Sequence, residues 1–245
     1  IDGGSWNIIN RLLSKNKLYG IKYIIDNGVY GDLQSVEPFI SPPAWKSFST
    51  GMVPENHGIF YWYHLNKQIR KVTFPFEKSM SVKFLEVWDI LSLAGYKVAV
   101  INVPLTYPVK AINGIMIAGF PALRLDENSV YPSELIEMLQ RRGYKIIPDC
   151  HYLDYDRFVN EAIGVINLRF NYVKEIIDYF DVIFLTIFIT DGAQHYYMKD
   201  FMLGKKFGKV IEILWRVIDT NIMKLIELLE KKYVYNFIIV SDHGF

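Results

Sequence analysis

Asp242 and His243 stand side by side directly after the apolar run "NFIIVS". Asp191 holds the same position after "VIFLTIFIT", and Asp2 follows the opening isoleucine in "IDGG", which reads as the tail of a strand. His195 lies four residues beyond Asp191, so a helical turn starting there would put both side chains on one face. Carboxylates and imidazoles gathered at one edge repel each other, or leave charge unpaired, unless a cation joins them. Mixed Asp/His ligation suits zinc, manganese or iron better than calcium, which takes oxygen ligands only. A single aspartate after a strand serves equally as a helix cap or turn residue. The distinguishing feature is that Asp2, Asp191, Asp242 and His243 all obey one positional rule.

Ser41 is a further candidate. In "FISPPAWKSFSTG" the Pro42-Pro43 pair holds the chain extended before a short helix that Gly51 can close. Ser41 is then expected at the N-cap, where it either caps the Ala44 N–H or acts as a nucleophile in the positive field of the helix N-terminus. The prolines remove two backbone N–H groups that could otherwise hold a phosphate. Asn102, in "NVP", closes a strand at the same edge and is a candidate substrate contact.

These residues must be positioned by the elements between them. Helical spacing is expected over residues 5–19, 81–94, 158–180 and 207–231, and in "IKYIIDNG", which Gly28 closes. Strands are expected in "VYGDLQSV", "YKVAVINVP", "VIFLTIFIT" and "YNFIIVSD". Strand and helix alternating in this way imply an α/β fold with a mostly parallel sheet covered on both faces. Ligands of such sheets bind beyond the carboxyl ends of the strands, where the candidate residues lie. Residues 1–245 read as one domain, with residues 105–155, rich in turns and mixed in polarity, as a cap insertion over the site.

The 245 residues are 51% hydrophobic, enough for one substantial core. A net charge of +1 with 22% charged residues gives neither a nucleic-acid footprint nor a disordered tail. The single cysteine, Cys150, forms no intrachain disulfide, so a cytoplasmic location is the expectation. The longest apolar run, Val182 to Ile189, is short of the roughly 20 residues a membrane-spanning helix needs, and no signal peptide is recognised. The chain opens without a methionine and stops on "SDHGF", so truncation at both ends is expected.

The segments "IDGGSW", "SPPAWKSFSTGMVPENHGI", "INVPLTYP", "TDGAQH" and "SDHG" resemble, in order and across the whole chain, the type I phosphodiesterase/nucleotide pyrophosphatase branch of the alkaline phosphatase superfamily. The resemblance implies a three-layer α/β/α sandwich carrying two divalent metal ions, usually zinc, bridged by a substrate phosphate. It implies Asp2, Ser41, Asp242 and His243 around one ion and Asp191 with His195 at the other. Counting back from Gly51 of "TG" places the nucleophile at Ser41. There are two departures. The family's second ion takes a further histidine downstream of "DHG", and none follows here. The nucleotide pyrophosphatases place an asparagine shortly after "HGI", where Trp62 stands with Asn66 nearby. His57 reads as structural.

The expected activity is hydrolysis of a small-molecule phosphodiester or phosphomonoester through a phosphoserine on Ser41. Two alternatives share these motifs: a phosphomutase or phosphotransferase, and a non-catalytic member that binds metal or phosphate. A sulfatase is disfavoured, since no arginine follows Ser41 in "PPAW".

Overall fold

The computed structural model describes residues 1–66, 71–73 and 84–245. In chain order its elements are α1 (Trp6–Leu13), α2 (Gly20–Asn27), α3 (Ser41–Thr50), α4 (Pro54–His57), β1 (His64–Asn66), β2 (Lys71–Thr73), α5 (Val87–Leu93), β3 (Val98–Val103), β4 (Gly114–Ala118), β5 (Val130–Tyr131), α6 (Leu135–Arg141), α7 (Tyr155–Ile176), β6 (Val182–Leu185), α8 (Ile189–Met202) and α9 (Lys209–Glu230). No helix among the described residues is long and apolar enough to cross a membrane. The chain divides into two compact units. The first takes Ile1–Leu33, Ile147–Ile176 and Ile187–Phe245; the second takes Gln34–Ile146 and Ile177–Thr186.

The first unit is organised by α9. Val210, Leu214, Ile218, Ile222 and Leu225 are buried and recur at helical spacing, so they form one apolar stripe. α9 packs against α8, α7 and α2. It also caps α2. The buried carboxylate of Asp219 accepts the N–H groups of Tyr19 (2.7 Å), Gly20 (3.0 Å) and Ile21 (2.7 Å). These are donors that the start of a helix leaves without an intrahelical partner, and Tyr19 at the N-cap supplies no side-chain acceptor. Asp219→Ala is expected to destabilise the protein by about 2–4 kcal/mol, because buried donors lose a charged acceptor. A urea titration reads this as a lower midpoint at unchanged slope; a midpoint at the wild-type value would show that water replaces the carboxylate.

The second unit is built on a four-stranded sheet of order β5-β4-β3-β6. β3 is buried along its whole length and runs parallel to both β4 and β6; β5 pairs antiparallel with β4. The core gathers Trp45 of α3, Trp88 of α5, Val98, Val100 and Val103 of β3, Ile112, and Met116 of β4. A buried ion network fastens α3 to the start of α5. Lys46 Nζ lies 2.8 Å from Glu86, which also accepts from Ser49 Oγ (2.9 Å) and Trp88 Nε1 (3.1 Å) and pairs with Lys110 (2.7 Å). Burial pushes the Glu86 carboxyl up, but Lys46 and Lys110 outweigh it and hold the group below its ordinary value.

Several expected elements differ. Residues 29–36 form no strand: Gly31 and Asp32 are poor strand formers, and residues 29–34 are exposed. The strand expected over 182–190 ends at Leu185, and Ile189 already begins α8. The last apolar run, residues 234–240, carries no ladder among the described residues, and Val234 and Ile238 are exposed. An apolar run becomes a strand only when a neighbouring backbone supplies the hydrogen bonds. The helix expected over 81–94 is seen as α5 from Val87; residues 81–83 lie outside the described residues. The stretch 105–155 supplies β4 and β5 to the sheet and is divided between the two units.

Candidate metal centre

The first unit brings Asp2, Asp191, His195, Asp242 and His243 into one cluster. Two backbone segments meet there. The Ile1 nitrogen donates to the Val240 carbonyl (2.8 Å), Gly3 N–H to Asp242 Oδ1 (3.1 Å) and Gly4 N–H to Ser241 Oγ (2.7 Å). On its other side the loop is tied to α8. Asp2 N–H donates to the Ile187 carbonyl (3.0 Å), Thr190 Oγ1 to the Asp2 carbonyl (2.7 Å) and Gln194 Nε2 to the Gly3 carbonyl (2.9 Å). Gly3 adopts φ +65°, and a Cβ there would lie 2.7 Å from Gln194 Nε2 and 3.2 Å from Asp191 Oδ1. Only glycine passes between the two walls.

His243 Nε2 faces three carboxylates: Asp242 Oδ2 at 3.4 Å, Asp2 Oδ1 at 3.6 Å and Asp191 Oδ1 at 3.9 Å. His195 Nε2 lies 3.4 Å from Asp191 Oδ2 across one turn of α8, as the four-residue spacing predicts. The Nδ1 of His243 donates to the Gly244 carbonyl (2.9 Å). That bond turns the other ring nitrogen, Nε2, toward the oxygens. Three carboxylates gathered around one imidazole nitrogen make a donor set that a cation suits.

The residues fit a metal ion. One oxygen each from Asp2 and Asp242 and a ring nitrogen of His243 lie within 4.8 Å of one another. Ligands about 2.0–2.1 Å from a tetrahedral ion stand roughly 3.3 Å apart, close to the separations seen. Asp191 Oδ1 is buried and accepts no hydrogen bond, as expected of an oxygen that serves a cation. The Asp191 carboxyl is pushed above the ordinary range by burial, pulled back by His195 and His243, and raised again by Asp242. The Tyr152 phenol is pushed up to about 12, first by burial and then by the Asp191 charge, so it stays protonated and able to donate.

Ser41 and Asn102 belong to the second unit. α3 begins at Ser41 itself: Ile40, in extended conformation, is the N-cap, and its carbonyl takes the Ala44 N–H at 3.4 Å. Ser41 therefore occupies the first helical position, where the expectation had it one residue earlier. The prolines explain the shift, since their fixed φ continues a helix and they need no hydrogen-bond partner there. Gly51 closes α3 with φ +68°, as expected. Asn102 is wholly buried. It sits in a bulge between Ile101 and Val103 with φ +54°, donates from Nδ2 to the Ala118 carbonyl (2.8 Å) and accepts from the Tyr144 hydroxyl. Its side chain thus anchors the bulge within its own unit. His57 Nδ1 accepts the Ile59 N–H (3.1 Å), so Nε2 carries the proton toward Ser47 Oγ (3.0 Å); the ring acts as a strut. Trp62 packs edge-on against Phe120, with ring centroids 4.8 Å apart.

Thr190, Gln194, Ser241 and Tyr152 complete the surroundings and were not foreseen from sequence. Thr190 and Gln194 share the four-residue spacing of Asp191 and His195, one position earlier, which was the available signal.

No curated protein sequence is significantly similar to the chain. Its fold is similar to that of phosphonoacetate hydrolase from Sinorhizobium meliloti 1021, seen in complex with phosphonoacetate (TM-score 0.59, 17% identity, 93% of this chain and 52% of that one) and with phosphonoformate (TM-score 0.59, 18% identity, 93% and 52%). It is also similar to murine ectonucleotide pyrophosphatase/phosphodiesterase 5 (TM-score 0.55, 16% identity, 94% and 51%). The chain thus spans about half the length of each of these structures and shares their fold over that span. The sequence itself matches one family profile continuously, and on that match over residues 1–245 the chain belongs to the type I phosphodiesterase / nucleotide pyrophosphatase family.

Proposed function

We propose that the chain is the metal-dependent catalytic part of a phosphohydrolase that cleaves a small phosphodiester or phosphomonoester through a phosphoserine on Ser41. The observation that carries this reading is the convergence of His243 Nε2 and three carboxylate oxygens at 3.4–3.9 Å. Asp2, Asp242 and His243 would hold one divalent ion; Asp191 and His195 would contribute to a second. Zinc suits the mixed donors best, with manganese or iron as alternatives. When bound, such ions lower the pKa of a hydroxyl and neutralise charge on the phosphoryl, entering and departing oxygens.

The chain's own residues do the rest. The Ser41 hydroxyl gives up its proton to solvent, and its oxygen forms a bond to phosphorus as the ester oxygen departs in line with the bonding electron pair. Water then attacks the phosphoserine, releasing phosphate from a monoester substrate or a phosphate monoester from a diester, and a proton returns to the serine oxygen. The positive end of α3 favours the anionic oxygen. Pro42 and Pro43 offer no N–H groups, so α3 supplies a field here and few donors. Dialysis against a strong chelator is expected to lower turnover of a chromogenic phosphodiester by at least about 100-fold, with recovery on adding zinc. Full turnover in metal-free protein would overturn the reading.

A further inference from the structure

Gln194 is fully buried and lies on α8 between Asp191 and His195, and its side chain reaches Gly3, the residue after Asp2. Its amide is oriented by its neighbours. Trp215 Nε1 on α9 can only donate, so the oxygen at 3.5 Å from it must be Oε1. That leaves Nε2 for the Gly3 carbonyl at 2.9 Å, where a donor is required. One residue toward the N-terminus of Gly3 stands Asp2, whose carbonyl accepts from Thr190 of the same helix (2.7 Å). The Gly3 N–H meanwhile donates to Asp242 (3.1 Å). The Asp2-Gly3 peptide is therefore held on one side by α8 and on the other by Asp242. Two α8 side chains that are not candidate ligands tie this loop: Thr190 at the Asp2 carbonyl (2.7 Å) and Gln194 at the Gly3 carbonyl (2.9 Å), and of the two only Gln194 is itself held by α9.

We propose that Gln194 is a positioning residue that sets the spacing between the two metal half-sites, Asp2 with Asp242 and His243 on one side and Asp191 with His195 on the other. This rests on the metal-centre reading given above. Through Gly3, Gln194 fixes the loop that carries Asp2 relative to the helix that carries Asp191. Trp215, itself buried in the core, fixes Gln194. The spacing of the carboxylates is thus set by a hydrogen-bonded chain from α9 to α8 to the loop.

Equilibrium dialysis of the full chain against zinc separates the outcomes, using wild type, Gln194→Met and Trp215→Phe. Methionine conserves volume and removes both hydrogen bonds; phenylalanine leaves Gln194 in place and removes the donor that orients it, at the cost of a small cavity in the core. Gln194→Met is expected to weaken zinc binding by about 10–100-fold, the usual cost of losing a group that orients a metal ligand. Trp215→Phe is expected to weaken it less, by up to about 10-fold. A purely structural role would lower the unfolding midpoint of the metal-free protein and leave zinc affinity at the wild-type value in both variants; that result overturns the inference. Should Gln194→Met not fold, the Trp215→Phe affinity decides alone. Wild-type protein that takes up no zinc would overturn the metal-centre reading itself, and this inference with it.

Discussion

Ser41→Ala is expected to lower turnover of a chromogenic phosphodiester by about 10⁴–10⁶-fold, the scale seen when a covalent nucleophile is removed. The protein should remain folded. Ser41 opens α3, Ile40 supplies the N-cap geometry, and alanine favours a helix at this position. Zinc should still bind, because Asp2, Asp242 and His243 cluster within the first unit on their own. Mass spectrometry of acid-quenched protein should find a phosphorylated species in wild type and none in the variant. Turnover within about tenfold of wild type would exclude Ser41 as nucleophile, since that much can come from general acid–base or electrostatic effects alone.

Asp242→Asn is expected to have the second largest effect, and its sign depends on the metal. The amide oxygen of asparagine can still accept the Gly3 N–H that Asp242 Oδ1 accepts now. Its amino group would replace Oδ2, the atom 3.4 Å from His243 Nε2, and can no longer ligate a cation. Zinc affinity should fall by more than the 10–100-fold typical of a supporting residue, with one ion fewer retained per chain and catalysis falling in step. In metal-free protein the same change removes one of several crowded negative charges, so the unfolding midpoint should rise, by about 1 kcal/mol of stability. Stabilised apo-protein together with weakened zinc binding is the signature of a ligand. Destabilisation in both states would mark Asp242 as structural.

The α/β class and the family were legible in the sequence, more so than individual strands. The closeness of Asp191 and His195 was readable because a helix enforces the four-residue spacing locally, and α8 realises it. Asp242 and His243 were singled out as residues following a strand; they do meet Asp2, but the apolar run before them carries no ladder among the described residues. The long apolar periodicity of α9 and the continuous burial of β3 were legible for the same local reason. What failed depended on partners. Residues 182–190 are apolar throughout, and composition alone cannot show that only four of them join β3 before α8 starts. The 234–240 run has strand-like residues and no ladder. Asn102 sits at the expected end of β3, yet a bulge and Tyr144 turn its amide inward. Gln194 lies inside "TDGAQH", but its hydrogen-bond partners, Trp215 and Gly3, are distant in sequence, and local spacing gives no sign of them.

The Gly3–Asp242 hydrogen bond joins residues 239 positions apart. During synthesis Asp2 leaves the ribosome long before Asp242 and His243 exist, so a nascent chain would carry only part of the proposed donor set. On that proposal, ion uptake would be a late event that reports the meeting of two distant segments, and a single proteolytic nick that frees either segment would release the ion even where most of the helices persist.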